Sequence, residues 1–369
     1  RMAMKRRKFV MGAGVSAVAG AASTTIPKPA FSANQRELSM VTSWPKNFPG
    51  LGTSASRLGA RITKMSGGTL KVKVYPRGSL VKSPDLFSAV ADGVADMYHA
   101  IEHYWEGNTK ALNFFASVPF GLTATEQSAW INFGGGQELW DEVGKVFGVK
   151  PFLAGNTGVQ MGGWFNKQVN TVDDLQGLRI RMPGFGGTVL KRVGAQSITL
   201  PSSQIFDAIE TGKLDATEWF GPWFDYEFGL HKITKYYYYP GFQEPGTSLS
   251  SSINLDVWGS LGRHHREIIE TAMAAENDLV LAEFNARNIK ALNLMLTNNQ
   301  VSLRRFPDDV MNAIGNAAGE VVSEAGNSDP MSRKVYRSFL KFRQQSIKWS
   351  KISDQAYWNA RLLPFSYGR

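Results

Sequence analysis

The segment IFDAIETGKLDA, residues 205–216, repeats without gaps an earlier segment of the chain, LFSAVADGVADM, residues 86–97. Each copy has an apolar helical pattern, a glycine that ends the helix, and an aspartate before the next element. The matched pairs are Phe87 and Phe206, Ala89 and Ala208, Val90 and Ile209, Gly93 and Gly212, and Asp96 and Asp215. A chance match is the alternative, but the repeat predicts two related α/β lobes.

An aromatic-rich stretch follows each copy of the repeat. HAIEHYWEGN spans residues 99–108, and DATEWFGPWFDY spans residues 215–226. In open α/β sheets, ligands bind beyond the carboxyl ends of the strands. The two stretches are therefore predicted to present their loops to a cleft that the lobes share.

The composition is that of a globular protein with room for two hydrophobic cores. The chain has 369 residues, of which 43% are hydrophobic and 20% are charged. It has no cysteine, which excludes disulfides, thiolate nucleophiles and cysteine-ligated metals or clusters. A chain without cysteine is compatible with export.

Residues 1–33 have the pattern of a twin-arginine export signal. The adjacent arginines of KRRKFVMGAG precede a mildly apolar stretch, residues 10–26, and cleavage is expected after Ser32 or, alternatively, Ala33. A basic tail followed by a short buried helix is the competing interpretation. The segment has six basic residues and no acid, so its removal lowers the net charge from +10 to +4. The remaining sequence has no evident basic run with interleaved aromatics, and no nucleic-acid partner is expected.

Strand and helix signals alternate after residue 34, and a long helical tract follows them. The pattern predicts a first lobe over residues 34–155, completed by a returning segment at about 248–306, and a second lobe over residues 156–247. Residues 307–369 are predicted to form C-terminal helices that pack on the lobes and offer a surface for dimerisation. No low-complexity linker separates the lobes, so two crossovers that act as a hinge are expected.

One carboxylate, Glu218, stands among the large aromatic residues of DATEWFGPWFDY. A charge there loses hydration and needs a partner, a hydrogen-bond shell or a metal. Arg179 and Arg181 alternate in LRIR, so both lie on one face of a predicted strand. Arg181, at the strand end, is predicted to point into the cleft, where its guanidinium can clamp a carboxylate. Solvation of both arginines is the alternative.

Two glutamines are further candidates. Gln160 lies between small residues on a predicted strand, where its amide can donate to or accept from a ligand oxygen. Its side chain faces either the interior or the solvent. Gln243 precedes Glu244 in a proline- and glycine-rich loop, YYYYPGFQEPG, which alone indicates little.

The sharpest enzyme-like match is HAIEH, which fits the H-x-x-E-H pattern of inverted zinc peptidases. That chemistry requires His99 and His103 on one helical face, with Glu102 as the base. Here the segment follows a glycine turn and reads as a strand that runs into a loop. In an extended segment, positions four apart are separated by about 13 Å, too far for one zinc ion. A secreted zinc hydrolase is therefore kept only as a competing hypothesis.

The sequence resembles the periplasmic substrate-binding proteins of TRAP transporters over nearly the whole chain after residue 33. The likeness is carried by DLQGLRIRMP, residues 174–183, by VGA, residues 193–195, and by PSSQIFDAIETG, residues 201–212. The resemblance implies an α/β, two-lobe periplasmic-binding-protein fold with central mixed sheets, a hinge and a long C-terminal helical arm. It also implies a binding protein that closes over its ligand, without catalytic residues.

The resemblance also assigns roles to residues. Arg181 corresponds to the carboxylate anchor of the family. The block ends in ATEWFGPWFDY, unlike the sialic-acid and C4-dicarboxylate branches, and looks like the branch that binds 2-oxo or 2-hydroxy monocarboxylates with a metal cation. In that branch Gln160, Arg181, Trp219 and Gln243 match substrate-binding positions. Glu218, the Trp219 carbonyl and Gln243 match cation ligands.

Aromatic residues are expected to enclose the carbon chain of the ligand: Trp219 and Phe220, with Tyr104 and Trp105 from the first lobe. Core packing is the alternative for each of them. A charge count favours Na⁺, because one arginine, one glutamate and one substrate carboxylate sum to −1. Ca²⁺ remains open, since oxygen ligands suit both ions and a further acid could lie nearby.

The predicted function is that of a periplasmic receptor, exported by the twin-arginine route, which delivers its ligand to the membrane permease subunits of a TRAP transporter. The expected ligand is a 2-oxo acid such as pyruvate or a 2-hydroxy acid such as lactate. A larger sugar acid or another organic anion is the main alternative. Some relatives swap the terminal helix to form a dimer, so a homodimer through the C-terminal helix is also expected.

Overall fold

The computed structural model describes residues 35–198, 200, 202–298 and 301–368. The predicted export signal, residues 1–33, lies outside these residues. The unit Gln35–Arg369 is built around two β-sheets.

The described residues form eleven strands: β1 (Arg36–Thr42), β2 (Leu70–Tyr75), β3 (Met97–Ala100), β4 (Val149–Asn156), β5 (Gly163–Phe165), β6 (Arg179–Arg181), β7 (Gln196–Ser197), β8 (Ala216–Thr217), β9 (Tyr236–Tyr239), β10 (Ser248–Asn254) and β11 (Ser302–Arg305). The first sheet has the order β2-β1-β3-β10-β4, and the second has the order β11-β9-β5-β8-β6-β7. Both are mixed, because β10 runs antiparallel to β3 and β4, and β5 runs antiparallel to β8 and β9.

The helices are α1 (Gly52–Met65), α2 (Leu86–Ala91), α3 (Ala124–Phe133), α4 (Gly136–Phe147), α5 (Gly184–Arg192), α6 (Ser202–Glu210), α7 (Pro222–Phe228), α8 (Leu255–Ser260), α9 (Arg263–Asn298), α10 (Asp308–Gly326), α11 (Pro330–Ile352) and α12 (Asp354–Ala360). Short 3₁₀ turns at Glu102–Trp105 and Lys110–Phe115 follow β3 and carry part of the cleft. None of the described helices is both long enough and apolar enough to cross a membrane.

The repeated segment forms the same helix–turn–strand unit in both sheets. After α2 the chain turns at Gly93, with φ of 76°, and after α6 it turns at Gly212, with φ of 72°. Positive φ angles favour glycine because it has no Cβ to clash with the backbone. Each turn leads into a strand parallel to its neighbour, β3 beside β1 and β8 beside β6.

The matched aspartates have the same structural task. Asp96 accepts a hydrogen bond from the backbone N–H of Ser39 at 2.7 Å, and Asp215 accepts one from the backbone N–H of Arg179 at 3.0 Å. In each lobe the carboxylate thus satisfies a backbone donor of the adjacent strand. The sequence repeat is therefore a repeat of structure.

The chain passes between the sheets more often than expected. Residues 157–162 connect β4 to β5, and residues 240–247 connect β9 to β10. The 36-residue helix α9 packs on β4, α1 and α7, and the chain then enters β11. At 1.5 Å per residue, α9 is about 54 Å long, and it lies between β10 of the first sheet and β11 of the second along the chain. The expectation of two crossovers was therefore wrong.

The returning segment also differs from its predicted placement. The prediction assigned about 248–306 to the first lobe, but β11 pairs in parallel with β9 of the second sheet. The short strand SLRR gains its ladder of hydrogen bonds at the edge beside YYYY, and no local pattern indicates which sheet edge is free.

The C-terminal helices pack on both lobes. Helix α10 lies against α5, and α11 lies against the Lys110–Phe115 turn, α3 and α4. Phe339 of α11 is buried against Phe114 and Trp130, with ring centroids 5.2 and 5.4 Å apart. Large apolar side chains of the end of this arm are exposed: Ile347, Trp349, Ile352, Tyr357, Trp358, Leu362, Leu363, Phe365 and Tyr367.

Candidate functional site

A cavity of about 250 Å³ lies where loops of the two lobes meet. His103 and Tyr104, from the turn after β3, line one side of it. Glu218, Gln243 and Glu244, from the loops after β8 and β9, line the other side. Polar side chains therefore converge at the ends of strands, as the fold class leads one to expect.

Arg181 forms an ion pair with Glu218, which lines this cavity. Arg181 Nη1 donates to Glu218 Oε1 at 2.9 Å and to the Glu218 carbonyl oxygen at 3.0 Å. The guanidinium carbon lies 5.2 Å from the centroid of the Trp219 ring. Among the described residues, no acceptor is bonded to Arg181 Nε or Nη2, so one edge of its fork is free for a carboxylate.

The loss of hydration of the buried Glu218 carboxylate is only partly offset by its ion pair with Arg181. Its side chain is 6% exposed, and burial raises the pKa of its carboxyl to about 8. Arg181 opposes this increase, whereas the negative charges of Glu244 and Asp225 add to it. A buried carboxylate in this condition is stabilised by a cation, which favours its ionised form.

The two predicted glutamines contribute unpaired oxygens. Gln160 Nε2 donates to Glu244 Oε2 at 2.6 Å, and Gln243 Nε2 donates to the Met161 carbonyl at 2.8 Å. Oε1 of Gln160 and Oε1 of Gln243 are buried without a hydrogen-bond partner. Buried polar atoms are nearly always paired, so these two oxygens are candidates to contact a ligand or an ion.

The location of Gln160 differs from the prediction. It lies in the crossover 157–162 between β4 and β5 and not within a strand. Its side chain is buried, which resolves the alternative in favour of the interior. The backbone leaves the sheet here because residues 157–162 connect one sheet to the other.

Glu244 is a site residue that sequence reasoning missed, as is Glu106, which also lines the cavity and pairs with Lys110 at 3.2 Å. Glu244 Oε2 accepts hydrogen bonds from Gln160 Nε2 and Thr247 Oγ1, both at 2.6 Å, and its side chain lines the cavity beside Gln243. The sequence signal was its position directly after a candidate ligand in a proline- and glycine-rich loop. That signal is weak, because the same pattern occurs in ordinary turns.

The predicted aromatic enclosure is only partly present. Tyr104 lines the cavity, and its ring lies edge-on to Trp44 with centroids 6.3 Å apart. Trp105 was predicted wrongly, because it is buried in the first lobe against Phe87 and Tyr98, each at 5.9 Å.

The aromatic residues of the second lobe, Trp219 and Phe220, pack against other aromatic rings next to the site. Trp219 stacks on Phe228 at 5.2 Å, and Phe220 packs against Phe224 at 5.1 Å. Neither Trp219 nor Phe220 is among the residues that line the cavity.

The zinc hypothesis does not fit the geometry. His99 Nδ1 accepts a hydrogen bond from Trp44 Nε1 at 2.8 Å, and burial lowers the pKa of His99 to about 3. Glu102 instead accepts from the Tyr98 hydroxyl at 2.7 Å. Tyr98 and His99 are adjacent in β3 and point to opposite faces, so the groups bonded to them diverge. Among the described residues, no cluster of three or more His, Cys, Asp or Glu side chains could hold a metal.

Asp225 holds the aromatic turn that carries Glu218. It accepts hydrogen bonds from Trp164 Nε1 at 2.9 Å, from the Tyr237 hydroxyl at 2.6 Å and from the Phe220 backbone N–H at 3.1 Å. Burial raises the pKa of its carboxyl to about 6, and these hydrogen bonds lower it. The carboxylate thus fixes the backbone two residues after Glu218.

Residues 40–329 match DctP, the family described as bacterial extracellular solute-binding protein, family 7. The monocarboxylate 2-oxoacid-binding periplasmic protein of Nostoc sp. is 36% identical over 320 residues, which cover 87% of both chains.

Two solved structures of TRAP periplasmic solute-binding proteins are similar over most of the chain. The protein from Pseudoalteromonas atlantica, with bound sodium and pyruvate, has a TM-score of 0.82 and 36% identity and covers 90% of this chain and 100% of its own. The protein from Colwellia psychrerythraea, with bound calcium and pyruvate, has a TM-score of 0.83 and 35% identity and covers 88% and 99%.

These likenesses agree with the two-sheet architecture, the long C-terminal helix and the cleft between the lobes. The predicted α/β periplasmic-binding-protein fold is confirmed, and the family consists of solute-binding proteins and not of enzymes. The chain therefore belongs to the DctP family of TRAP-type solute-binding proteins, family 7 of the bacterial extracellular solute-binding proteins.

Proposed function

We propose that this protein is the periplasmic receptor of a TRAP transporter and binds a small 2-oxo monocarboxylate, such as pyruvate, together with a metal cation. A 2-hydroxy acid such as lactate fits the same description. The observation that carries the proposal is a set of unpaired groups around one cavity. Gln243, which lines the cavity, has an orphaned oxygen, and so does Gln160, which is bonded to the cavity-lining Glu244. Arg181, which is bonded to the cavity-lining Glu218, has two unpaired edge nitrogens. The relatives that bind pyruvate and 2-oxo acids support the substrate class.

In this proposal, Arg181 anchors the substrate carboxylate. Its free edge offers Nε and Nη2, the pair of parallel donors that a carboxylate accepts. Gln160, Gln243 and Tyr104 would contact the rest of the ligand, and Trp219 would hold the arginine through the contact between its ring and the guanidinium.

The cation would bind to oxygen atoms of the second lobe. Glu218 supplies a carboxylate, Gln243 supplies Oε1, and the Trp219 carbonyl accepts no hydrogen bond from the described residues. Hard cations such as Na⁺ and Ca²⁺ take carboxylate, amide and carbonyl oxygens. When bound, the cation supplies positive charge that stabilises both Glu218 and the substrate carboxylate.

The size of the cavity favours a short ligand. At about 250 Å³ it is below the roughly 300–1,000 Å³ of sites for drug-sized molecules. Phe185 and Pro119 are among the residues that line it.

The receptor would work by capture and closure and would not transform its ligand. A ligand that contacts both lobes favours the closed arrangement over the open one. The closed receptor would then be recognised by the membrane permease subunits that the family implies.

We also propose export by the twin-arginine route and a homodimer through the C-terminal helix. The paired arginines before an apolar stretch support the route. The exposed apolar side chains of the C-terminal arm support a dimer, because contiguous apolar surface marks interaction sites.

The test is a titration of the protein with pyruvate, longer 2-oxo acids, lactate and a sugar acid, followed by tryptophan fluorescence. It is run with Na⁺, with Ca²⁺ and after chelation in Na⁺-free buffer. Saturable, cation-dependent binding of the short acids is expected, with loss in the Arg181→Ala and Glu218→Ala variants. Binding of only the sugar acid, or of none of these anions, would refute the proposed substrate.

A further inference from the structure

We infer that Glu244 makes this cleft a divalent-cation site that selects Ca²⁺ over Na⁺. The inference rests on the proposed function, because it concerns the cation of the same site. It concerns a residue whose role the sequence did not indicate.

The position of Glu244 is fixed by two short hydrogen bonds to one oxygen. Oε2 accepts from Gln160 Nε2 and from Thr247 Oγ1, both at 2.6 Å. Neither partner carries a charge, and among the described residues no lysine or arginine pairs with this carboxylate. The side chain lines the same cavity as Glu218, so its charge acts on whatever occupies the cavity.

Glu244 changes the charge balance of the loaded site. Arg181 contributes +1, Glu218 and Glu244 contribute −1 each, and a substrate carboxylate contributes −1, which gives −2. Glu106 also lines the cavity, but it pairs with Lys110 at 3.2 Å, and these two charges cancel. One Na⁺ leaves a net charge of −1, whereas one Ca²⁺ brings the site to zero. In a cleft that closes and loses water, an uncompensated charge is costly, so the divalent ion is favoured.

The oxygen atoms at the site also suit Ca²⁺. Gln160 Oε1 and Gln243 Oε1 are buried without partners, and two carboxylates that pair with no lysine in the described part of the chain, Glu218 and Glu244, line the same cavity. Ca²⁺ takes six to eight oxygen ligands, and its affinity increases with the number of charged ligands. The unpaired amide oxygens are thus the reason to place an ion here, and the second carboxylate, that of Glu244, is the reason to expect a divalent one.

The experiment measures cation binding directly, with Tb³⁺ as a luminescent probe that nearby tryptophan sensitises. Tb³⁺ is displaced by Ca²⁺ and, separately, by Na⁺, from wild-type protein, from Glu244→Gln and from Glu320→Gln. Glu320 is an exposed acid on α10 and controls for the change in net charge. All buffers contain Tris or K⁺, and pyruvate is added in a parallel series.

The wild type is expected to bind Ca²⁺ at least 100-fold more tightly than Na⁺. The Coulomb energy between Glu244 and the ion is proportional to the charge of the ion, so the binding energy lost in Glu244→Gln should be about twice as large for Ca²⁺ as for Na⁺. The fold-loss of Ca²⁺ affinity should therefore be about the square of the fold-loss of Na⁺ affinity. A tenfold loss for Na⁺ would thus accompany a loss of about 100-fold for Ca²⁺. Glu320→Gln should change neither affinity by more than about twofold.

Tighter binding of Na⁺ than Ca²⁺ by the wild type would overturn the inference, even if Glu244→Gln fails to fold. Equal losses for the two ions in a folded Glu244→Gln variant would also overturn it. Failure of the proposed function is a separate outcome, seen as no pyruvate binding in the parallel series. The Tb³⁺ displacement still decides the inference in that case.

Discussion

Strand β6 carries two arginines that pair with two carboxylates, and the two pairs differ in completeness. Arg179 makes a bidentate contact with Asp215, in which Nε donates to Oδ2 at 2.9 Å and Nη2 donates to Oδ1 at 2.8 Å. The backbone N–H of Arg179 and Lys167 Nζ also reach this carboxylate, each at 3.0 Å. Arg181 reaches the carboxylate of Glu218 through Nη1 alone, at 2.9 Å.

The two carboxyl groups differ in pKa for the same reason. The hydrogen bonds from Arg179, supported by Lys167, hold the pKa of Asp215 well below its usual range. Burial raises the pKa of Glu218 to about 8, although Arg181 is bonded to it. An arginine beside an acid is therefore not sufficient to keep the pKa of that acid low. The number of hydrogen-bond donors must match the number of carboxylate lone pairs that lose their water on burial.

The comparison separates a structural pair from a binding site. Four donors converge on the Asp215 carboxylate, and they connect it to Arg179 of β6 and to Lys167. The Arg181 pair leaves donors and acceptors open at a cavity, and the adjacent residues share this incompleteness. Unsaturated polar groups beside a cavity, and not charges as such, distinguish the Arg181 pair from the Arg179 pair.

Replacement of the arginines should have the largest effect on ligand binding and should separate the two pairs. Arg181→Ala is expected to weaken pyruvate binding by at least 100-fold, because two charge-assisted hydrogen bonds to the carboxylate are lost. Arg179→Ala is expected to leave pyruvate affinity within about threefold. Calorimetric titration of both variants checks this, and similar losses in the two would break the comparison.

Neutralisation of the two acids, Asp215 and Glu218, should affect stability in the opposite order. The larger loss is expected at Asp215, in the structural pair, and the smaller one at Glu218, in the binding site. Asp215→Asn is expected to lower the free energy of unfolding by about 2–3 kcal/mol, since it removes charge-assisted hydrogen bonds and leaves donors unpaired. Glu218→Gln should change it by less than about 1 kcal/mol, because the desolvation penalty of Glu218 is relieved. Urea unfolding at neutral pH measures both values, and equal destabilisation would contradict the distinction.

Asp225 sharpens the comparison, because it combines full burial with three hydrogen-bond donors. If the number of hydrogen bonds to a buried carboxylate decides its contribution to stability, Asp225→Asn should destabilise the protein by about 1–2 kcal/mol. The amide of asparagine has one oxygen fewer to accept the hydrogen bonds from Trp164, Tyr237 and the Phe220 N–H. Pyruvate affinity should fall only a few-fold. Tyr237→Phe removes one donor and serves as the matched control, with a smaller loss of stability in the same unfolding assay.

The dependence of stability on pH gives the smallest effect. The pKa of Asp215 is lower in the folded protein than in the unfolded chain, so its stabilisation is present above the unfolded value of about 4. Below that value the stabilisation decreases as the pH falls towards the lower folded pKa. The difference in unfolding free energy between wild type and Asp215→Asn should therefore narrow from pH 6 to pH 3. A constant difference over this range would show that the charge of Asp215 contributes nothing.

Much of the fold followed from local patterns in the sequence. The glycines and aspartates of the repeat predicted two equivalent helix–turn–strand units, and the LRIR alternation predicted that both arginines share a face, with Ile180 buried on the other. These features depend on backbone conformation and side-chain periodicity, which neighbouring residues specify.

The incorrect predictions concern long-range packing. Gln160 lies in a crossover loop, Trp105 packs into the core of its own lobe, and β11 pairs with the second sheet. Each of these residues has a local pattern that fits two environments equally well. The choice between the environments was made by residues far away in the chain.

The sequence by itself determined the two lobes, their related strands and the acid within an aromatic wall, because these are written in spacing and residue type over short stretches. The long family motif likewise indicated Arg181 as an anchor. Only the tertiary structure decided which groups stay unpaired. Gln160, Glu218 and Glu244 come from three separate loops, and whether their oxygens meet donors depends on how those loops close around one cavity.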